Sequence, residues 1–256
     1  MQQAGLLYPQ SNRYHFAQHR LAFALRGQRD PGRGDTPDLA TELAELQAEI
    51  SKADARNVLA SSEAFMALRK RHLQDLRAGL QGYDLRIIAV VRRQDDYLLS
   101  QYNQNAKGVG NGFKRALSEF VADPRSLGRE ISFDRCITQW EDVFGHDAVT
   151  LWRYEDGDII ARMLDHLGLP ADLIPAQPHV NTSVPARVAD LMRLSKRLNL
   201  PVAAQRTVLR VASRTFANAP RQSLTAEQRQ AILKVFAQEN DALFARFGMT
   251  NTYNTP

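Results

Sequence analysis

The stretch RIIAVVRRQDDYLLSQYNQ, residues 86–104, runs five apolar residues into an arginine pair, two aspartates and an apolar-periodic segment that contains a serine. Arg92 follows the apolar run directly and Ser100 lies eight residues further on. A guanidinium is a permanent charge that forks onto two oxygens, and a helix N-terminus presents unpaired N–H groups at the positive end of its dipole. Together they suit a phosphate. Ser100 falls roughly one turn into the expected helix, where its hydroxyl reaches the same anion if the turn folds back. A plainer arrangement fits the same residues, with the arginines pairing to carboxylates and Ser100 an ordinary helix serine. Two groups elsewhere suit proton transfer. Glu63 stands two residues past a strand end, and His19 has an ordinary pKa close to neutrality. Glu63 is equally explained as a carboxylate favoured by a helix dipole. His15 and His19, at i and i+4, share a helix face, yet no third ligand at a convincing spacing accompanies them, so no metal is expected. Ser61 and Ser62 fit a ligand contact or a helix cap. Asn181 and Ser183 lie in a Pro-flanked loop, where binding residues concentrate and where turn chemistry is an equal explanation.

The elements that must position these groups are legible as apolar runs. NVLAS (57–61), LRIIAVV (85–91) and AVTLWRY (148–154) read as short strands, and helical patterns at 64–80, 96–106 and 132–144 lie between or beside them. This alternation predicts an α/β fold with a parallel sheet flanked by helices, and unbroken apolar runs predict strands covered on both faces. Residues 92–95 then form a strand-to-helix turn with Asp95 or Asp96 as N-cap, at the sheet edge where such folds bind ligands. After residue 180 the periodicity is helical throughout, with candidates at 186–198, 201–217 and 225–247 and Thr225 as the cap of the last. The expected organisation is an α/β domain over 1–180 and a helical C-terminal extension over 181–256. An amphipathic helix, LATELAELQAEI, follows the polar loop GQRDPGRGDTPD. Trp140, Phe144, Trp152 and Tyr154 at helix and strand spacing read as core. ALRKRHLQDLRAGL reads as a helix with a solvated basic face.

With 256 residues, 44% apolar and 24% charged, the chain can bury a sizeable core and is too hydrophobic for disorder. The single cysteine, Cys136, makes no internal disulfide, which points to a reducing compartment and to the cytoplasm as the default. No run is long enough to span a membrane and the first residues do not read as a signal peptide. The net charge of +5 favours an anionic ligand, but the arginines are spread along the chain, which gives little support to nucleic acid as a partner.

Taken with their neighbours, these residues resemble a known family. Arg92 and Ser100 in VVRRQDDYLLSQYNQ resemble the 3′-phosphate-binding motif of sulfotransferases that use 3′-phosphoadenosine 5′-phosphosulfate. NVLASSEAF resembles the strand and Ser-Ser-Glu of bacterial polysaccharide-type members. ISFDRCITQWEDVFGHDAVTLWRYE resembles their helix, Trp and Phe-Gly landmarks, and strand ending in Tyr-Glu. GLLYPQS, HFAQHRLAFAL and VNTSVPARVADLMRLSKRLN resemble flanking segments, so the likeness spans residues 5 to about 200. It implies a P-loop nucleotide-kinase-like fold and transfer of a sulfuryl group from that co-substrate to a carbohydrate hydroxyl. Arg92 and Ser100 would hold the 3′-phosphate, and Glu63, or else His19, would act as base. Asn181 and Ser183 would reach nucleotide or acceptor. The sequence departs from the family in one respect. The first strand and the Gly-, Lys- and Ser/Thr-rich loop that cradles the 5′-phosphosulfate are not among these residues. KGVGNGFKRA (107–116) follows a helix instead of a strand and reads as a surface loop. The expectation is a sulfotransferase whose N-terminal strand lies outside this sequence. The alternative is a truncated, non-catalytic remnant that binds nucleotide or a protein partner.

Overall fold

The computed structural model describes residues 5–14, 16–173 and 185–254. In chain order the elements are β1 (Leu6–Leu7), α1 (His19–Arg26), α2 (Leu39–Lys52), β2 (Asn57–Val58), α3 (Lys70–Gly79), β3 (Ile87–Val91), α4 (Gln94–Lys107), α5 (Leu117–Ala122), α6 (Phe133–Phe144), β4 (Val149–Arg153), α7 (Ile159–His166), α8 (Ala186–Arg197), α9 (Val202–Thr215) and α10 (Ala226–Arg246). The class is α/β with helices predominating. The chain forms two compact units, Met1–Val91 with Phe133–Pro175, and Arg92–Ser132 with Ala176–Pro256. The expected division falls at residue 180; in these units the excursion from Arg92 to Ser132 goes with the C-terminal helices.

The first unit contains every strand among the described residues. β1 runs parallel to β2 with Leu6 opposite Asn57, and β3 runs parallel to β4 from Ile87 opposite Val149 to Val91 opposite Arg153. The sequence predicted strands in one parallel sheet, whereas the described residues form two separate pairs. The expectation of strands covered on both faces also fails in part. Both residues of β2 are exposed, and in β3 only Ala89 and Val91 are fully buried. Helix α6 places Phe133, Cys136, Ile137, Trp140 and Val143 on one buried face, and it packs on α3, β3 and β4. That i, i+3, i+4, i+7 pattern is what an amphipathic helix needs to cover a sheet. The helix expected over 64–80 is broken. Glu63–Ala67 is a 3-10 turn and Leu68 is extended, which buries its side chain completely. His72 Nδ1 then accepts from the Arg69 N–H at 3.2 Å and caps α3. Of the aromatic landmarks, Trp140 and Trp152 are buried, Trp140 stacks on Phe144 at 5.5 Å, and Tyr154 is exposed instead of core.

The second unit is helical. α4 packs on α8 and α10, and Leu98, Tyr102, Ala106, Phe120, Ile232 and Phe236 form much of its core. The three helices expected after residue 180 are present as α8, α9 and α10. Thr225 caps α10 by accepting from the Gln228 N–H, and Gln228 Oε1 in turn accepts from the Thr225 N–H. Lys196 of α8 is buried and donates to the carbonyls of Asn105 (2.9 Å) and Ala106 (2.8 Å) at the C-terminal end of α4. Burial pushes its ammonium down to about 8.

Candidate functional site

The anion-binding residues predicted from sequence stand at the start of α4. β3 ends in the fully buried Val91, Arg92 is half-buried, and Arg93 is the N-cap without any side-chain cap bond. The helix thus begins earlier than expected. Asp95 and Asp96 do not cap it but lie in its first turn, because each finds an arginine in place of a backbone N–H. Arg93 donates to both Asp95 oxygens, at 2.7 and 2.9 Å. Arg229, from α10, donates to Asp95 and to Asp96, the latter at 2.8 Å. Burial acts to raise the Asp95 carboxyl, yet the two guanidiniums outweigh it and hold it below the usual carboxylate range. Arg93 and Arg229 therefore pair with Asp95 and Asp96, and Arg92 precedes them in the chain, directly after β3. Arg93 takes the plainer, carboxylate-pairing role. Ser100 is the seventh residue of α4, about 9 Å along the axis from Gln94, and so nearly two turns in where one was expected. Next to this cluster, Gln94 and Asn240 exchange amide bonds of 2.7 and 3.1 Å, both fully buried.

The proton-transfer candidates share a second site, at the C-terminal ends of β1 and β2 in the first unit. His19 Nδ1 lies 2.7 Å from Ser62 Oγ, which also accepts from the Ala64 N–H at 3.2 Å. Ser62 thus caps the turn that begins with the exposed Glu63, and His19 reaches the residue next to it. Ser61 is held from two sides. Its N–H donates to Gln18 Oε1 and its carbonyl accepts from the Gln18 N–H, both at 2.8 Å. Tyr8 donates its phenol to the Phe16 carbonyl at 2.7 Å, so at the 3.0 Å contact between Tyr8 and Ser61 the serine hydroxyl is the donor. Gln18 is fully buried and donates to the Pro9 carbonyl at 2.9 Å, which ties the segment after β1 to α1.

Behind this turn, Arg20 is buried among Asp30 (2.7 Å), Asp35 (3.1 Å) and Glu42 (2.7 Å). The Asp35 hydrogen bond and the other carboxylates raise the guanidinium above its ordinary value against the opposing effect of burial. This network fixes α1, and therefore His19, against α2. The sequence reading missed Arg20, Gln18, Tyr8 and Arg229, since no local spacing marks a contact between residues 229 and 95. For Tyr8, Gln18 and Arg20 a usable signal existed, because they lie within GLLYPQS and HFAQHRLAFAL, segments already singled out.

Asn181 and Ser183 lie outside the described residues, and so does His15, which leaves the i, i+4 histidine pair without a description. Among the described residues no group of three or more His, Cys, Asp or Glu is placed to hold a metal ion. No helix among them is long and apolar enough to cross a membrane. The segment 108–116 is a loop between α4 and α5, with Gly110 and Gly112 in the left-handed region. No protein-family model matches the chain. No solved structure matches it either. Among curated proteins it is similar to an uncharacterized protein of Archaeoglobus fulgidus, 24% identical over 210 residues, which cover 77% of this chain and 55% of that protein. The chain thus spans about half the length of that relative.

Proposed function

We propose that this chain binds 3′-phosphoadenosine 5′-phosphosulfate and takes part in sulfuryl transfer to a carbohydrate hydroxyl, within a P-loop nucleotide-kinase-like sulfotransferase fold. The observation that supports this best is the place of Arg92, directly after β3 and at the start of α4. Arg92 is half-buried and stands between the end of β3 and the N-cap Arg93, which makes no side-chain cap bond, so a guanidinium sits at the positive end of a helix, a place that attracts an anion. Arg92 holds the 3′-phosphate by a forked contact, and Ser100 donates its hydroxyl to the same nucleotide. Asn181 and Ser183 reach nucleotide or acceptor. The carbohydrate acceptor follows from the resemblance of NVLASSEAF to polysaccharide-type members. In the transfer, an acceptor oxygen forms its bond to sulfur as the bond from sulfur to the 5′-phosphate oxygen breaks. 3′-Phosphoadenosine 5′-phosphate leaves, and Glu63, or His19, takes the hydroxyl proton.

The test is calorimetric titration of 3′-phosphoadenosine 5′-phosphate into wild type and Arg92→Ala. Loss of a charge-assisted contact worth about 1.5–3 kcal/mol weakens binding between about tenfold and about 150-fold. Equal affinity in the two proteins removes Arg92 from the site. A second reading is binding of nucleotide without transfer. Release of sulfate label from the co-substrate to a glycan separates the two readings.

A further inference from the structure

The α8–α9 hairpin exposes a surface that the nucleotide reading does not use. Between residues 185 and 222 the sequence has eight arginines and lysines and one acid, Asp190. That acid is paired with Arg193 at 2.8 Å. The excess positive charge has a regular layout. Arg206, Arg210 and Arg214, spaced at i, i+4 and i+8, are all exposed along one side of α9. The neighbouring helix carries an apolar stripe. Leu191, Leu194 and Leu198, spaced at i, i+3 and i+7, are 37%, 50% and 64% exposed. The turn between the helices, where Asn199 adopts the left-handed conformation, runs from Leu198 to Val202, itself 45% exposed.

The inner face of α8 is firmly seated. Val188, Ala189 and Met192 are fully buried, and Lys196 fastens the helix to the end of α4. The outer leucines are therefore not part of this unit's core. Leucines held in water on α8 and a stripe of exposed arginines on α9, the helix packed against it, supply the two ingredients of a membrane-interface surface, apolar side chains for the acyl boundary and cations for anionic headgroups. A nucleic acid fits less well. Single strands are held by aromatic stacking, and α8 and α9 contain no aromatic residue. The aliphatic stripe would also stay wet against phosphates. We propose that the α8–α9 hairpin is a peripheral docking surface for an anionic lipid membrane.

Vesicle co-sedimentation of the full chain tests this, using phosphatidylcholine alone and phosphatidylcholine mixed with phosphatidylserine. Two variants accompany wild type: Arg206→Gln/Arg210→Gln/Arg214→Gln and Leu194→Gln/Leu198→Gln. All five positions are exposed and glutamine is a good helix former, so both variants fold, which circular dichroism checks. The expected result is salt-sensitive binding to the mixed vesicles and little to phosphatidylcholine. Each arginine removed lowers partitioning about fivefold, so the triple variant binds about a hundredfold more weakly. The leucine variant loses at least about tenfold. Absence of wild-type binding to the mixed vesicles at low salt overturns the proposal. So does binding that the arginine substitutions abolish and the leucine substitutions leave unchanged, which would indicate an acidic polymer. A leucine-dependent dimer in sedimentation velocity, without vesicle binding, would assign the stripe to a second copy of the chain and overturn it as well.

Discussion

Replacing Arg229 with methionine isolates what the α10 guanidinium does for the start of α4. Asp95 is fully buried, while the Arg229 and Asp96 side chains are 25% and 30% exposed. Arg229→Met removes one charge-assisted bond to a buried carboxylate, worth about 1.5–3 kcal/mol, and one to a partly solvated carboxylate, worth at most about 1 kcal/mol. Asp95 keeps its two-pronged contact with Arg93, so the loss stays below the 3–5 kcal/mol typical when a buried charge is orphaned. Methionine fills most of the aliphatic volume. The expected loss is about 2–3 kcal/mol, read in urea as a midpoint lowered by about 1 M with an unchanged slope. The pH dependence carries a definite sign. The folded Asp95 pKa is depressed, so its stabilisation is fully present above the unfolded value near 3.9 and is lost as pH falls through the lower folded value. In that window the unfolded chain binds the proton first. The gap between wild type and Arg229→Met is therefore constant at neutral pH and closes below about pH 4. A midpoint within about 0.2 M of wild type at neutral pH, or a gap that does not narrow in acid, refutes the assignment of this network as the clamp on α4.

Three further outcomes are expected. Gln94→Leu leaves the buried Asn240 amide unpartnered and lowers stability by about 1–3 kcal/mol, whereas Gln94→Leu/Asn240→Leu recovers most of the loss; a double-mutant cycle in urea measures it. Lys196 has a folded pKa near 8 against about 10.4 unfolded, so between these values the unfolded chain holds the extra proton and stability rises with pH, by up to about 3 kcal/mol. Lys196→Met is flat across that window, and thermal unfolding of both proteins from neutral to alkaline pH is the check. Glu63→Gln, if Glu63 is the base, lowers sulfuryl transfer by about 10²–10⁴-fold and leaves 3′-phosphoadenosine 5′-phosphate affinity unchanged; if activity is retained, the role passes to His19, read from the same assay on His19→Ala.

The helices after residue 180 were legible because each buries one stripe against a neighbour, and a 3.6-residue period with caps such as Thr225 records this in the sequence. The β3 and β4 runs were legible for the same local reason, to within two residues. The helix expected over 64–80 was misread. Leu68 satisfies the helical period, but the packing that buries it requires an extended backbone at that position. At the candidate site, the adjacency of a strand end, Arg92 and a helix start was written locally. Which arginine pairs with the aspartates was not, since Arg229 lies 133 residues beyond Asp96 and only the docking of α10 on α4 brings the two together. By itself, then, the sequence determined the element types and the charge available at the start of α4, because propensity, periodicity and capping act over a few residues. The tertiary structure alone decided how the strands pair, which carboxylates are neutralised and which leucines of α8 remain in water. Those outcomes depend on contacts between distant segments, and burial sets their energies.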